Sequence, residues 1–301
     1  MYTCGVGTEP DPALQPLCDA LLRRALAAGG FAGSAGGPYA PDATAWAVLG
    51  LAAAGAGAER LPPARARLAA GQAADGRVSL DHGHPEAFWV TPLAALAWHG
   101  EPRHAAAESR AVGFLLATTG RHWPKQPGHP VGHDPSIRGW PWIENTHSFV
   151  EPTALGLLAL RRAGHGAHER AREATRMLLD RQLPGGGWNY GNTTVFGQEL
   201  RPAAAETGLA LVAVAGAAAR VDVQQSLELL HAEVRRRRTP LSLAWGLLGL
   251  GAWGERPAEA LPAVLESVAA QRQRGAYQTA LLALLLLAAV EDAAAARVLP
   301  R

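Results

Sequence analysis

The stretch from Gly139 to Leu160, GWPWIENTHSFVEPTALGLLAL, runs a cluster of Trp, His and carboxylate side chains directly into a wholly apolar helix. The same junction recurs along the chain. Aligned on the residue that opens each apolar helix, the copies are Asp42-Ala43-Thr44-Ala45-Trp46, Trp89-Val90-Thr91-Pro92-Leu93, Glu151-Pro152-Thr153-Ala154-Leu155, Ala205-Glu206-Thr207-Gly208-Leu209, Leu241-Ser242-Leu243-Ala244-Trp245 and Tyr277-Gln278-Thr279-Ala280-Leu281. A unit repeated six times is the expected organisation.

Each unit pairs two kinds of helix. Ala171 to Gln182 carries Ala171, Ala174, Met177 and Leu178 on one face and Arg172, Glu173, Arg176 and Arg181 on the other, the periodicity of a helix with one wet side. Pro184-Gly185-Gly186-Gly187 then stops it. The second helix of each unit, as in Thr153 to Leu160 or Thr279 to Leu287, is apolar all round and rich in Ala and Gly, so it is buried on every side. An open stack of such units would leave apolar faces wet at both ends, and no polar capping unit is visible. The pattern therefore predicts an all-α, (α/α)6 toroid closed by contact of its first and last units. It forms one domain over residues 1–301, with residues 1–12 an extension and 121–149 a long loop over the barrel mouth.

The composition fits a large core. Of 301 residues, 48% are hydrophobic and 18% charged, with a formal net charge of +2. Lys125 is the only lysine, and the one dense basic run, Arg235 to Arg238, has no interleaved aromatic residue. Nucleic acid is not an expected partner. Cys4 and Cys18 are too few for a disulfide framework or a four-thiolate zinc site, which suits a reducing cytoplasm. No secretory signal is visible, and the longest apolar run, Thr279 to Val290, is shorter than the roughly 20 residues that span a bilayer. A soluble, cytoplasmic protein is the expectation.

The segment Leu178-Leu179-Asp180-Arg181-Gln182-Leu183-Pro184-Gly185-Gly186-Gly187-Trp188 resembles the QW motif of the prenyltransferase and squalene oxidase repeat superfamily, which contains terpenoid cyclases and protein prenyltransferases. Leu68 to Gln72 with Asp75-Gly76 is a weaker copy. Leu115 to Thr119 followed by Trp123 lacks the Gln, and Gly29-Gly30-Phe31 keeps the turn and an aromatic. The resemblance implies the α/α toroid and a substrate of isoprenoid character. Class II terpene cyclases carry D-x-D-D-T-A with a proton-donating middle Asp; the matching run here, Ala40-Pro41-Asp42-Ala43-Thr44-Ala45, keeps the middle acid alone. Protein prenyltransferases place a zinc-binding His in Y-H-T, where this chain has Tyr277-Gln278-Thr279. Gln is a poor zinc ligand, so no metal and no cofactor is expected.

If the inner helices begin around one mouth, the residues before each anchor form a ring there, and carboxylates in it also suit helix N-termini. The candidate acid and base groups are Asp42, Glu144, His147, Glu151 and Glu206. Trp46, Trp89, Trp140, Trp142, Phe149, Tyr277 and Gln278 are the candidates for binding substrate. The widest gap between anchors, Thr91 to Thr153, adds His122, His129, His133 and Asp134, while His82 and His84 precede the second inner helix. Pro130 and Gly132 spoil helical spacing between His129 and His133, so these read as loop residues.

Three functions remain open: a terpene cyclase-like enzyme using protonation to cyclise or isomerise an apolar substrate, a noncatalytic hydrophobic-ligand protein, and a carbohydrate-active α/α barrel with paired carboxylates. Class II cyclases usually set their site between two barrel domains. A single barrel then needs its loop, a second copy or another subunit to close the mouth.

Overall fold

The computed structural model describes residues 11–81, 83–128, 130–236 and 239–300. In chain order the helices are α1 (Gln15–Leu22), α2 (Pro41–Ala53), α3 (Leu61–Ala70), α4 (Thr91–Trp98), α5 (Ala105–Ala117), α6 (Val150–Arg162), α7 (Glu169–Asp180), α8 (Ala204–Val214), α9 (Arg220–Arg236), α10 (Pro240–Ala252), α11 (Ala260–Ala269), the short α12 (Gln271–Arg274), α13 (Thr279–Ala289) and the short α14 (Asp292–Ala296). A two-residue hairpin, β1 (Thr194–Val195) and β2 (Gln198–Glu199), follows the turn after α7. Each apolar helix packs on the next: α2 on α4, α4 on α6, α6 on α8, α8 on α10, α10 on α13, and α13 back on α2. The amphipathic helices α1, α3, α5, α7, α9 and α11 lie outside them. This is an all-α toroid.

Small residues let the inner helices approach this closely. A Cβ added at Gly50 would stand 2.8 Å from the Ala283 carbonyl oxygen, and one at Gly208 would collide with the carbonyl of Trp245. At the seam, the buried Arg24 donates from Nη1 to Thr279 Oγ1 at 3.0 Å, and the Thr279 N–H donates to the Gly33 carbonyl at 2.9 Å. Residues near the two ends of the chain thus lock the ring. At the opposite ends of the inner helices, Arg65 Nε donates to the Ala97 carbonyl at 2.7 Å and Arg161 Nη1 to that of Ala213 at 2.9 Å. Arg256 reaches the Ala288 carbonyl in the same way. Cations suit these C-terminal ends, where carbonyls lack helical partners.

The recurring Thr has a definite task. Its hydroxyl accepts from a turn N–H in four units: Thr44 from Phe31 (2.9 Å), Thr91 from Val78 (2.9 Å), Thr153 from Trp140 (3.0 Å) and Thr207 from Trp188 (2.9 Å). The motif glutamines tie neighbouring units together, with Gln182 Nε2 on Ser226 Oγ of α9 at 2.7 Å and Gln72 Nε2 on the Ala107 carbonyl of α5 at 2.9 Å.

The third turn differs from the sequence expectation. Trp140, not Trp123, occupies the position of Trp188: Trp140 Nε1 donates to the Leu115 carbonyl at 3.0 Å, as Trp188 Nε1 does to that of Leu178 at 2.6 Å. Trp123 is 42% exposed. The inserted chain therefore lies between the end of α5 and Gly139, whereas 139–149 is the unit's own turn and lead-in. A segment of this insertion bonds to the β1–β2 hairpin, through Gly132 N–H to the Thr194 carbonyl at 3.1 Å and Phe196 N–H to the Pro130 carbonyl at 2.8 Å. No helix among the described residues is long and apolar enough to cross a membrane.

Candidate active site

Trp46 of α2 and Trp245 of α10 meet edge to face with ring centroids 5.7 Å apart. Their helices are not neighbours in the ring, since α13 stands between them. The two indoles must therefore project inward and meet over the face of α13. Asp42 lies four residues before Trp46, on the same helical face, and so shares its inward aspect. Glu151 and Glu206 occupy the first turns of the adjacent inner helices α6 and α8. Protein closes in on Asp42 and Glu151, and each keeps some accessible surface. Glu206 is buried.

The electrostatics follow from that enclosure. Loss of solvation, reinforced by the like charge of Glu206, pushes the Glu151 carboxyl from 4.5 up to about 8. Desolvation also raises Glu206 and Asp42, offset in part by backbone N–H groups at Glu206 and at Asp42 and Ala43. Among the described residues no Lys, Arg or His forms an ion pair with any of the three. Burial and the neighbouring carboxylate thus favour the neutral acid form of Glu151.

The rim carries the remaining candidates. Trp89 and Trp142 contact edge to face at 5.4 Å and border an open cavity of about 320 Å³ with Ile143. His147 stacks on Phe149 at 4.2 Å between centroids; burial, followed by the charge of Arg181, holds its imidazole below the ordinary histidine range. The structure sends other candidates elsewhere. Trp140 packs behind α6 against Gly156, under the guanidinium of Arg170 at 4.3 Å. Glu144 is exposed and paired with Arg77 at 3.1 Å. Tyr277 donates its hydroxyl to the Ser267 carbonyl of α11 at 2.9 Å, and Gln278 is exposed at the start of α13. His84 pairs with Asp81 at 3.0 Å and His122 approaches the Gly120 carbonyl at 3.2 Å. His82, His129 and the end of the Arg235 to Arg238 run lie outside the described residues. No group of three or more His, Cys, Asp or Glu among the described residues is arranged to hold a metal ion.

Two participants escaped the sequence reading. Trp245 holds the same place in its aligned junction as Trp46, so the repeat alignment itself contains the signal. Helical periodicity puts Arg181 on the wet face of its helix, but it is 4% exposed. Nothing local in sequence marks it, because the inserted loop covers it from a distance.

No protein-family model matches the chain, and no curated protein matches it in sequence. Solved structures do match in shape. Ent-copalyl diphosphate synthase from Streptomyces platensis superposes with a TM-score of 0.54 at 19% identity over 86% of this chain. A protein from Actinoplanes gives 0.55 at 17% identity, covering 89% of this chain and 81% of its own. The protein thus has the α/α toroid fold found in terpenoid cyclases, and it spans half the length of the Streptomyces enzyme.

Proposed function

We propose that the protein is a terpene cyclase-like enzyme that takes an isoprenoid or similarly apolar substrate into the inner ring and isomerises or cyclises it by protonation. The observation that carries this reading is Glu151, a carboxyl enclosed by protein, raised to about 8 by burial and the charge of Glu206 and without an ion pair among the described residues. Alkene protonation needs an acid that still holds its proton at the working pH. Burial makes an isolated Glu151 anion costly, but transfer to substrate leaves the anion beside a carbocation, and the new pair offsets part of that cost.

The step balances without a co-reactant. The Glu151 O–H bond breaks as a C–H bond forms at one alkene carbon, and the carbocation so formed is either attacked by a second double bond or rearranged. Loss of a proton from the carbon next to the final cation regenerates an alkene, and the Glu151 carboxylate takes that proton back. Trp46 and Trp245 supply aromatic faces that stabilise the cation. Asp42, in the first turn of α2, is a second candidate carboxyl.

Incubation with linear polyprenols in D2O tests the reading. The wild-type chain is expected to form an isomerised or cyclised product bearing carbon-bound deuterium, and Glu151→Gln to lose at least about 100-fold in rate, the usual weight of general acid catalysis. Equal turnover by Glu151→Gln would remove the assignment. Bound polyprenol without product would favour a noncatalytic carrier.

A further inference from the structure

A second cavity, of about 190 Å³, lies between the inserted loop and the end of α7; much of its wall is apolar (Trp123, Val131, Pro135, Ile137), and Arg121, His147, Ser148, Arg181 and Asn192 bring polar groups to it. Arg181 is 4% exposed. Its Nη1 donates to the Gly191 carbonyl at 2.7 Å, but the buried Nε–H has no acceptor, and the nearest carboxylate oxygen, Asp180 Oδ2, stands 3.7 Å away. That distance is too long for a hydrogen bond. A guanidinium taken out of water with a donor unmet is costly unless something else completes its shell.

The carboxylates nearby are engaged. Asp180 Oδ2 accepts from the Asp134 N–H at 2.9 Å, and Asp134 Oδ1 accepts from the Ser136 N–H at 2.9 Å. Lys125 and Arg176 bear on Asp134, and Arg121 lines the cavity beside Arg181, so cations outnumber carboxylates here. Ser148 Oγ accepts from the Gly139 N–H at 3.0 Å, which leaves its own hydrogen to donate. Asn192 adds a side-chain amide at the same wall. Fixed donors and surplus positive charge around a small hollow describe a receptor for an oxyanion.

We infer that this cavity binds a phosphate group, held by the buried guanidinium of Arg181 and by Arg121 on the loop. Arginine's forked donors match tetrahedral and planar oxyanions. The phosphate is either a free ion or the head group of a molecule whose apolar body lies elsewhere in the protein. The inference does not use Glu151, and phosphate binding is tested without the cyclase reading; only the head-group arm rests on that reading, through Trp46, and His147 borders both sites.

Calorimetric titration of the full chain at constant ionic strength, with inorganic phosphate and separately with a long-chain alkyl phosphate, tests it. Both are expected to bind. Arg181→Met is expected to weaken phosphate about tenfold or more, in keeping with loss of a charge-assisted donor pair. Arg121→Gln, at an exposed position, is expected to weaken it several-fold with an unchanged melting temperature. Head-group recognition would show as tighter alkyl phosphate binding whose surplus disappears in Trp46→Ala; recognition of the free ion would show as equal affinities that Trp46→Ala leaves alone. Absence of phosphate binding at millimolar concentration, or binding that Arg121→Gln and Arg181→Met leave intact, would overturn the site. Should Arg181→Met fail to fold, Arg121→Gln decides alone.

Discussion

Glu151 shows how far one side chain's properties depend on chain distant from it. In sequence it is one acid ahead of an apolar run; in the ring it is enclosed by protein and feels the charge of Glu206, and its carboxyl rises to about 8. The rise has a thermodynamic consequence of definite sign. Between 4.5, the ordinary value, and about 8 the folded chain holds a proton that the unfolded chain has released, so stability falls as pH rises through this window. For a fully decoupled group the slope is about 1.4 kcal/mol per pH unit. Glu151→Gln is therefore expected to flatten urea-unfolding stability between pH 5 and pH 8 and to be the more stable chain at the upper end. An unchanged slope would mean that the carboxyl is solvated. The acid's presence was legible in the junction pattern, but its neutrality was not, because that comes from the neighbouring helix and from water excluded by the whole ring.

The turn-to-helix junction is the element on which the fold repeats. A threonine hydroxyl that accepts from a buried turn N–H leaves that donor unmet when removed, and such loss costs about 1–3 kcal/mol. Thr153→Val is expected to destabilise by that amount through the Trp140 N–H, while Thr153→Ser, which keeps the hydroxyl, is expected to cost much less; matched urea curves distinguish them. Helix contacts are equally exacting. Gly208→Ala would press a methyl into the Trp245 carbonyl and is expected to cost about 1–3 kcal/mol, the usual penalty of overpacking. These junctions explain why the fold was readable: a glycine-bearing turn, a Thr and an apolar run recur in five of the six copies, the fifth having Leu243 in place of the Thr. The third unit misled only because its insertion carries a tryptophan, Trp123, at a spacing that mimics the motif, while the hydrogen bonds belong to Trp140.

Closure is the property of the whole molecule that makes a site from scattered residues. The seam of Arg24, Ala32, Gly33 and Thr279 joins the first unit to the last, and α1, with the fully buried Cys18, packs on α13. Burial, with help from Asp19, pushes the Cys18 thiol up to about 11. Thiol labelling read by peptide mass should therefore leave Cys18 unmodified in the intact ring and reach it quickly in Arg24→Ala, if the seam governs access to this part of the core. Protection that survives Arg24→Ala would show α1 held independently of closure. Closure also explains which site candidates converge. Asp42, Glu151 and Glu206 sit in the first turns of inner helices and Trp46 one turn further along α2, while Tyr277 and Trp140, near the same junctions in sequence, turn toward the outer layer. A repeat pattern gives the junction but not the rotation of each side chain about its helix axis. Carbon-13 NMR titration of side-chain-labelled glutamate, with Glu151→Gln supplying the assignment, asks whether such a hollow holds a neutral acid. A Glu151 midpoint at about 8, moving down in Glu206→Gln, is the expected result; a midpoint near 4.5, unmoved by that change, would contradict it.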